Sequence, residues 1–141
     1  MTFQGLFTRI RYHSLLVFDS ETGQLVTAVP RPGNTHASCG AVAIPRRIVA
    51  CLREVWPCVK IEIRTDAGFA VPTVYEYCEK EGIDYTIGLV TNSRLEAMAD
   101  PLLERARERY GSQGKVRLLS EGSYQAGSWT RERRVAYTRR R

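Results

Sequence analysis

The stretch from Lys60 to Val90 constrains the fold more than any other. In KIEIR (Lys60 to Arg64) the apolar and charged residues alternate, which puts Ile61 and Ile63 on one face of a strand. Thr65-Asp66-Ala67-Gly68 has turn chemistry. Val71, Val74, Tyr75 and Cys78 then fall at i, i+3, i+4 and i+7, the stripe of an amphipathic helix. Pro72 stands in its first turn, where a missing N–H costs least, and Gly82 is the expected C-cap. YTIGLV (Tyr85 to Val90) is a second strand. Strand, helix and strand at this spacing read as a βαβ unit, in which two parallel strands are joined by a crossover. The chain is therefore expected to build an α/β fold.

The segments on either side extend that frame. LLVFD (Leu15 to Asp19) and QLVTAV (Gln24 to Val29) flank the turn residues Ser20 to Gly23 and read as a β-hairpin. Arg31 to Asn34 (RPGN) break the second strand. A helix is expected from an N-cap at Ser38 to Trp56, with Val42, Val49, Leu52 and Trp56 near one face and Pro57 closing it. Pro45 conflicts with that start, unless the helix begins near residue 44. After the βαβ unit, Leu95, Met98, Leu102 and Ala106 mark a third helix, expected to break or restart at Asp100-Pro101. KVRLLS (Lys115 to Ser120) and RRVAY (Arg133 to Tyr137) read as strands around a Gly- and Ser-containing loop. An antiparallel hairpin leading into parallel strands predicts one mixed sheet with helices packed on it.

The chain has 141 residues, 43% hydrophobic and 26% charged, a globular balance that excludes a disordered tract. No apolar run approaches the ~20 residues of a membrane span, and the N-terminus carries no signal-peptide pattern. A cytoplasmic protein is expected. The four cysteines form no C-x-x-C pair, and His13 and His36 complete no ligand spacing, so reduced, mostly packed thiols are expected. The formal net charge is +6, from 21 Lys and Arg against 15 Asp and Glu, which favours polyanions as partners. Six arginines lie in residues 131–141, where a solvated tail and a DNA contact are both open readings.

Few residues are placed for chemistry. Asp66 lies just past the carboxyl end of KIEIR, where open α/β sheets bind their ligands. A carboxylate there suits a hard cation such as Mg²⁺, and it equally suits a turn or helix cap. Asp19 also ends a strand but opens the Thr22-Gly23 turn, the role its position favours. His36 reads as a loop histidine. Trp129 with Arg131, Arg133 and Arg134 fits either a base-stacking, phosphate-gripping surface or a tryptophan packed beneath a β-ribbon. No phosphate loop, G-x-S-x-G or H-E-x-x-H motif is present.

Tyr12 to Ser38 (YHSLLVFDSETGQLVTAVPRPGNTHAS), Ile61 to Leu89, TNSRLE (Thr91 to Glu96) and AGSWTRERRVAY (Ala126 to Tyr137) together resemble the DDE-type transposases of bacterial insertion sequences, in the group called transposase DDE domain group 1. The resemblance runs from about residue 9 to residue 138 and rests on the order of RPGNTHAS and DAGFA, a longer pattern than any single motif. It implies a ribonuclease H-like mixed sheet flanked by helices. It also implies a site of three carboxylates holding two Mg²⁺ (or Mn²⁺) ions, which cuts and joins DNA by phosphoryl transfer. Asp66 matches the second of those carboxylates, in an R-x-D-[SA]-G-F pattern with Arg64, Gly68 and Phe69. Arg64 joins Trp129, Arg131, Arg133 and Arg134 as a candidate DNA contact.

The family's first aspartate lies upstream of the YH-x-LLVFD segment, and its glutamate beyond a β-rich insertion. None of the residues before Tyr12 is Asp or Glu. The resemblance therefore implies a domain incomplete at both ends. Residues 1–11 match poorly, 12–110 form a partial catalytic domain, and 111–141 begin the insertion and end in a basic tail. A chain of that kind is expected to be inactive alone. The alternative is a basic module that binds DNA or an intact transposase without catalysis. A sheet lacking its first strand exposes an edge, so self-association is also expected.

Overall fold

In the computed structural model, residues 12–36, 38–113 and 117–140 are described, the side chains of 110–113 and 139–140 excepted. The readings made for residues 1–11 lie outside them. The chain divides into two compact units, Met1–Gly88 and Leu89–Arg141.

In the first unit, β1 (Leu15–Phe18) and β2 (Leu25–Val29) form the expected antiparallel hairpin. Asp19 serves the turn: its carboxylate accepts from Glu21 N at 3.1 Å and from the Thr22 hydroxyl. Those bonds, the Thr22 hydroxyl first, hold its carboxyl below the usual range. The RPGN segment then folds back. Pro32 bridges Tyr12, and His13 N donates to Arg31 O at 2.8 Å. Arg31 itself is buried, with Nε donating to His13 O at 3.0 Å and an Nη donating to Cys39 O at 2.6 Å. A buried guanidinium needs acceptors, and here backbone carbonyls from two separate turns supply them.

Helix α1 (Ala43–Val55) starts at Val42, and no side chain caps it. The Ser38 cap is thereby corrected: the Ser38 hydroxyl lies 2.7 Å from His36 Nδ1 instead. The later start places Pro45 in the first turn, where no intrahelical N–H is lost. β3 (Glu62–Thr65) and β4 (Asp84–Ile87) pair in parallel, joined through a short 3₁₀ turn (Ala67–Phe69) and α2 (Pro72–Glu81). The βαβ unit is as expected. Gly82 ends α2 at φ 62°, a left-handed conformation that favours glycine. Val74, Tyr77, Cys78 and Ile83 form a buried core with Ala41 and Val49, against half-buried Ile61, Ile63, Tyr85 and Ile87. α2 thus covers the apolar face of β3 and β4.

In the second unit, α3 (Ser93–Gln113) packs on the antiparallel ribbon of β5 (Arg117–Tyr124) and β6 (Arg133–Arg140). The break expected at Asp100-Pro101 does not occur, since Pro101 lies inside a continuous helix. Ala99, Leu102 and Ala106 are buried, so packing of that stripe outweighs the lost hydrogen bond. The ribbon also runs longer than KVRLLS and RRVAY, because Glu121–Tyr124 of the Gly- and Ser-containing loop pair with Arg133–Ala136 and the second strand continues to Arg140.

The fold class is mixed α/β. Among the described residues the strands pair two by two, as β1–β2, β3–β4 and β5–β6, and no ladder joins these pairs into the single mixed sheet expected. A further correction concerns the thiols. All four are free, but Cys39, Cys51 and Cys58 are exposed and only Cys78 is buried. The first three lie outside the apolar stripe of α2, on turns and on the outer side of α1.

Candidate active site

The two faces of the β3–β4 pair differ sharply. Ile63, Thr65, Tyr85 and Ile87 are half-buried, while Glu62, Arg64, Asp84 and Thr86 are exposed. Parallel strands are usually covered on both faces, so this polar face is a departure. Glu62 organises it. Its carboxylate accepts from Arg64 Nε at 3.0 Å and an Arg64 Nη at 2.9 Å, and from the Thr86 hydroxyl across the strands at 2.9 Å. The Arg64 hydrogen bond, then that from Thr86, holds the Glu62 carboxyl below its usual value. The same pairing raises Arg64.

Asp66 follows at the next position of the same alternation. It is exposed and caps the 3₁₀ turn, with Oδ1 accepting from Gly68 N at 2.8 Å and its backbone O accepting from Phe69 N at 3.2 Å. Oδ2 has no partner among the described residues. The cap reading and the ligand reading are therefore compatible, because one oxygen builds the turn and the other is open. Gly88 closes the strand end beside it. Its N–H donates to Thr65 O at 3.0 Å, and a Cβ there would stand 3.0 Å from Ala67 N and 3.3 Å from the Asp66 carbonyl carbon.

The other candidates are placed differently. Trp129 is buried, edge-on to Tyr124 with centroids 5.5 Å apart. Arg133 is buried with its guanidinium 5.0 Å from the Trp129 ring centre, and Arg94 stands 5.4 Å from that of Tyr124. Asn92 donates to the Tyr124 hydroxyl at 2.8 Å. This edge-to-face pair of rings, flanked by two guanidiniums, is the packing arrangement open in the sequence, with Trp129 beneath the ribbon. Arg134 is exposed and its Nε donates to Glu121 at 2.8 Å, a pairing that raises Arg134 and lowers Glu121. Arg131 is exposed. Of the five candidate DNA contacts, Arg64, Arg131 and Arg134 present charge to solvent, while Trp129 and Arg133 are turned inward. Glu62, Thr86 and Gly88 were not singled out from sequence. The first signal for Glu62 was its two-residue spacing from Arg64, repeated from Arg64 to Asp66.

Whether these residues fit a metal centre can be judged from the donor set. Asp66 offers one open carboxylate oxygen, which fits one contact to a hydrated Mg²⁺. No group of three His, Cys, Asp or Glu able to hold an ion occurs among the described residues. One carboxylate does not fit a two-ion centre.

A parallel pair with an exposed carboxylate just past its carboxyl end, on a mixed α/β frame, places the chain in the α/β class. Comparison with known families makes the assignment. The whole chain, residues 1–141, matches the family described as Transposase DDE domain group 1, and it belongs to that family. Comparisons with curated proteins and with solved structures give no match.

Proposed function

We propose that this chain carries part of the DNA-cutting and joining machinery of a DDE transposase, with Asp66 as one of its metal-binding carboxylates. The observation that carries the reading is the open Asp66 oxygen just past the carboxyl end of β3, within a chain of this family. Asp66 Oδ2 would make one contact to the family's divalent ion, Mg²⁺ or Mn²⁺. Arg64, held by Glu62 on the same polar face, would meet the DNA backbone beside it. The parallel β3–β4 pair covered by α2 is consistent with part of a ribonuclease H-like sheet, and the cytoplasm is the expected compartment. Among the described residues no helix is long and apolar enough to cross a membrane.

Asp66 alone does not position two ions, so the chain by itself is proposed to bind DNA without cutting it. The net charge of +6 and the exposed Arg64, Arg131 and Arg134 favour that binding. The test is incubation of the purified chain with duplex DNA and Mg²⁺ or Mn²⁺, beside Asp66→Ala. Binding that weakens steeply with salt, with no nicking, is the expected result. Nicking that Asp66→Ala abolishes would overturn the proposed inactivity. Absence of any salt-dependent DNA binding would remove the DNA-handling role.

A further inference from the structure

We infer that Gly88 is a positioning residue for the Asp66 carboxylate, an inference that takes its functional meaning from the reading of Asp66 above. Gly88 follows β4, opposite the point where β3 turns into Asp66. Its N–H donates to Thr65 O at 3.0 Å and so closes the last pair of the parallel ladder, Thr65 with Ile87, immediately before Asp66. A side chain at residue 88 would meet backbone only: Ala67 N at 3.0 Å, the Asp66 carbonyl carbon at 3.3 Å and Asp66 Cα at 3.5 Å. Backbone cannot swing aside as the end of a flexible side chain does.

The peptide under that pressure is already tied on its other side. Phe69 N donates to Asp66 O, Ala70 N donates to Ala67 O, and Gly68 N donates to Asp66 Oδ1. A methyl group at residue 88 therefore has to move the Asp66–Ala67 peptide by a few tenths of an ångström. That displacement tilts the carboxylate whose one oxygen is held and whose other is open. Gly88 is not in the left-handed region, so what glycine supplies here is space for a close backbone approach rather than conformational freedom. Gly127 gives the contrast, since a Cβ there meets nothing within 4 Å.

The experiment uses the full ¹⁵N-labelled chain, as wild type, Gly88→Ala and Gly127→Ala, followed through its amide spectrum while Mn²⁺ is added. In the wild type, Mn²⁺ should broaden the amides of Ala67 and Gly68. In Gly88→Ala the Gly68 amide should shift and exchange with deuterium faster. The Mn²⁺ concentration for half-broadening should rise by about tenfold, the size of effect expected when a group supporting a ligand is disturbed. Gly127→Ala should match the wild type. A Gly68 amide unchanged in Gly88→Ala, with an unchanged Mn²⁺ midpoint, would overturn the inference. A Gly88→Ala chain that loses its dispersed spectrum overturns it as well, because Gly88 would then serve the fold as a whole. If Mn²⁺ broadens nothing in the wild type, the ligand reading of Asp66 fails, while the Gly68 shift and exchange still decide whether Gly88 sets the turn.

Discussion

At the residue scale, Cys78 is the only thiol fully withdrawn from water, at 0% exposure. Burial, with a smaller push from the Glu79 charge, raises its pKa from 9.0 to about 11. The folded state thus prefers the protonated thiol, and the unfolded chain gives up the proton first as pH rises. The contribution to stability is complete below pH 9 and is lost as pH climbs toward 11. Tyr77, raised chiefly by burial and then by Glu81, acts with the same sign. The measurable outcome is thiol titration with Ellman's reagent near neutral pH. Three thiols should react in the native chain, and the fourth only after unfolding, because reaction needs an exposed thiolate. Four fast thiols would show that α2 does not hold Cys78 in a core. Its burial was legible from the Val71, Val74, Tyr75, Cys78 stripe. The exposure of the other three was not, since free cysteine is usually buried and nothing local marks Cys39, Cys51 or Cys58 otherwise. Arg31 is the reverse case, a charged residue that is buried. Charge argues for the surface, and only the folded turns reveal the carbonyls that accept its protons.

At the element scale, α3 carries the clearest conflict between local preference and packing. Pro101 has no N–H to give Ala97 O, and its ring crowds that carbonyl. The helix continues because Ala99, Leu102 and Ala106 are buried in the unit built with β5 and β6. Pro101 itself is exposed, so alanine there restores a hydrogen bond without opening a cavity. Pro101→Ala is expected to stabilise this unit by about 1–3 kcal/mol. The measurement is the urea midpoint followed by fluorescence of buried Trp129, with Trp56 replaced by Phe in both chains. A lower midpoint would show that the proline relieves some other strain in α3. The same competition explains which elements could be read from sequence. The βαβ unit is local, and its turns, caps and periodicity all agree, so each of its parts was legible. Whether β1–β2 and β3–β4 join into one sheet depends on pairing between segments far apart in the chain. Alternation within a strand carries no information about that pairing. Asp66 shared the advantage of the βαβ unit. Gly88 did not, because its closeness to Asp66 arises only when two strands align.

At the scale of the whole molecule, two forces of different range act on association. The hairpin leaves Leu16, Phe18, Leu25 and Val26 at 50–55% exposure, and among the described residues every sheet has two strands, so each strand is an edge strand. Both features favour pairing with another chain, such as a second copy. Against them stands the net charge of +6, which keeps copies apart over about a Debye length of 8 Å at physiological salt. The two effects give opposite salt dependences. Raising salt screens the repulsion between copies and should promote self-association, while it should weaken the proposed DNA binding by reducing the gain from counterion release. Sedimentation velocity from 0.05 to 0.5 M NaCl should therefore show a growing oligomeric fraction in the wild type. Phe18→Lys should shrink it, by placing a charge on the exposed face of β1 without touching the buried core. A monomer at every salt concentration would mean that the hairpin face and the edges are covered within one chain. Self-association strongest at low salt would mean instead that it is driven by charge, with arginine-rich segments of one copy meeting carboxylates of the next.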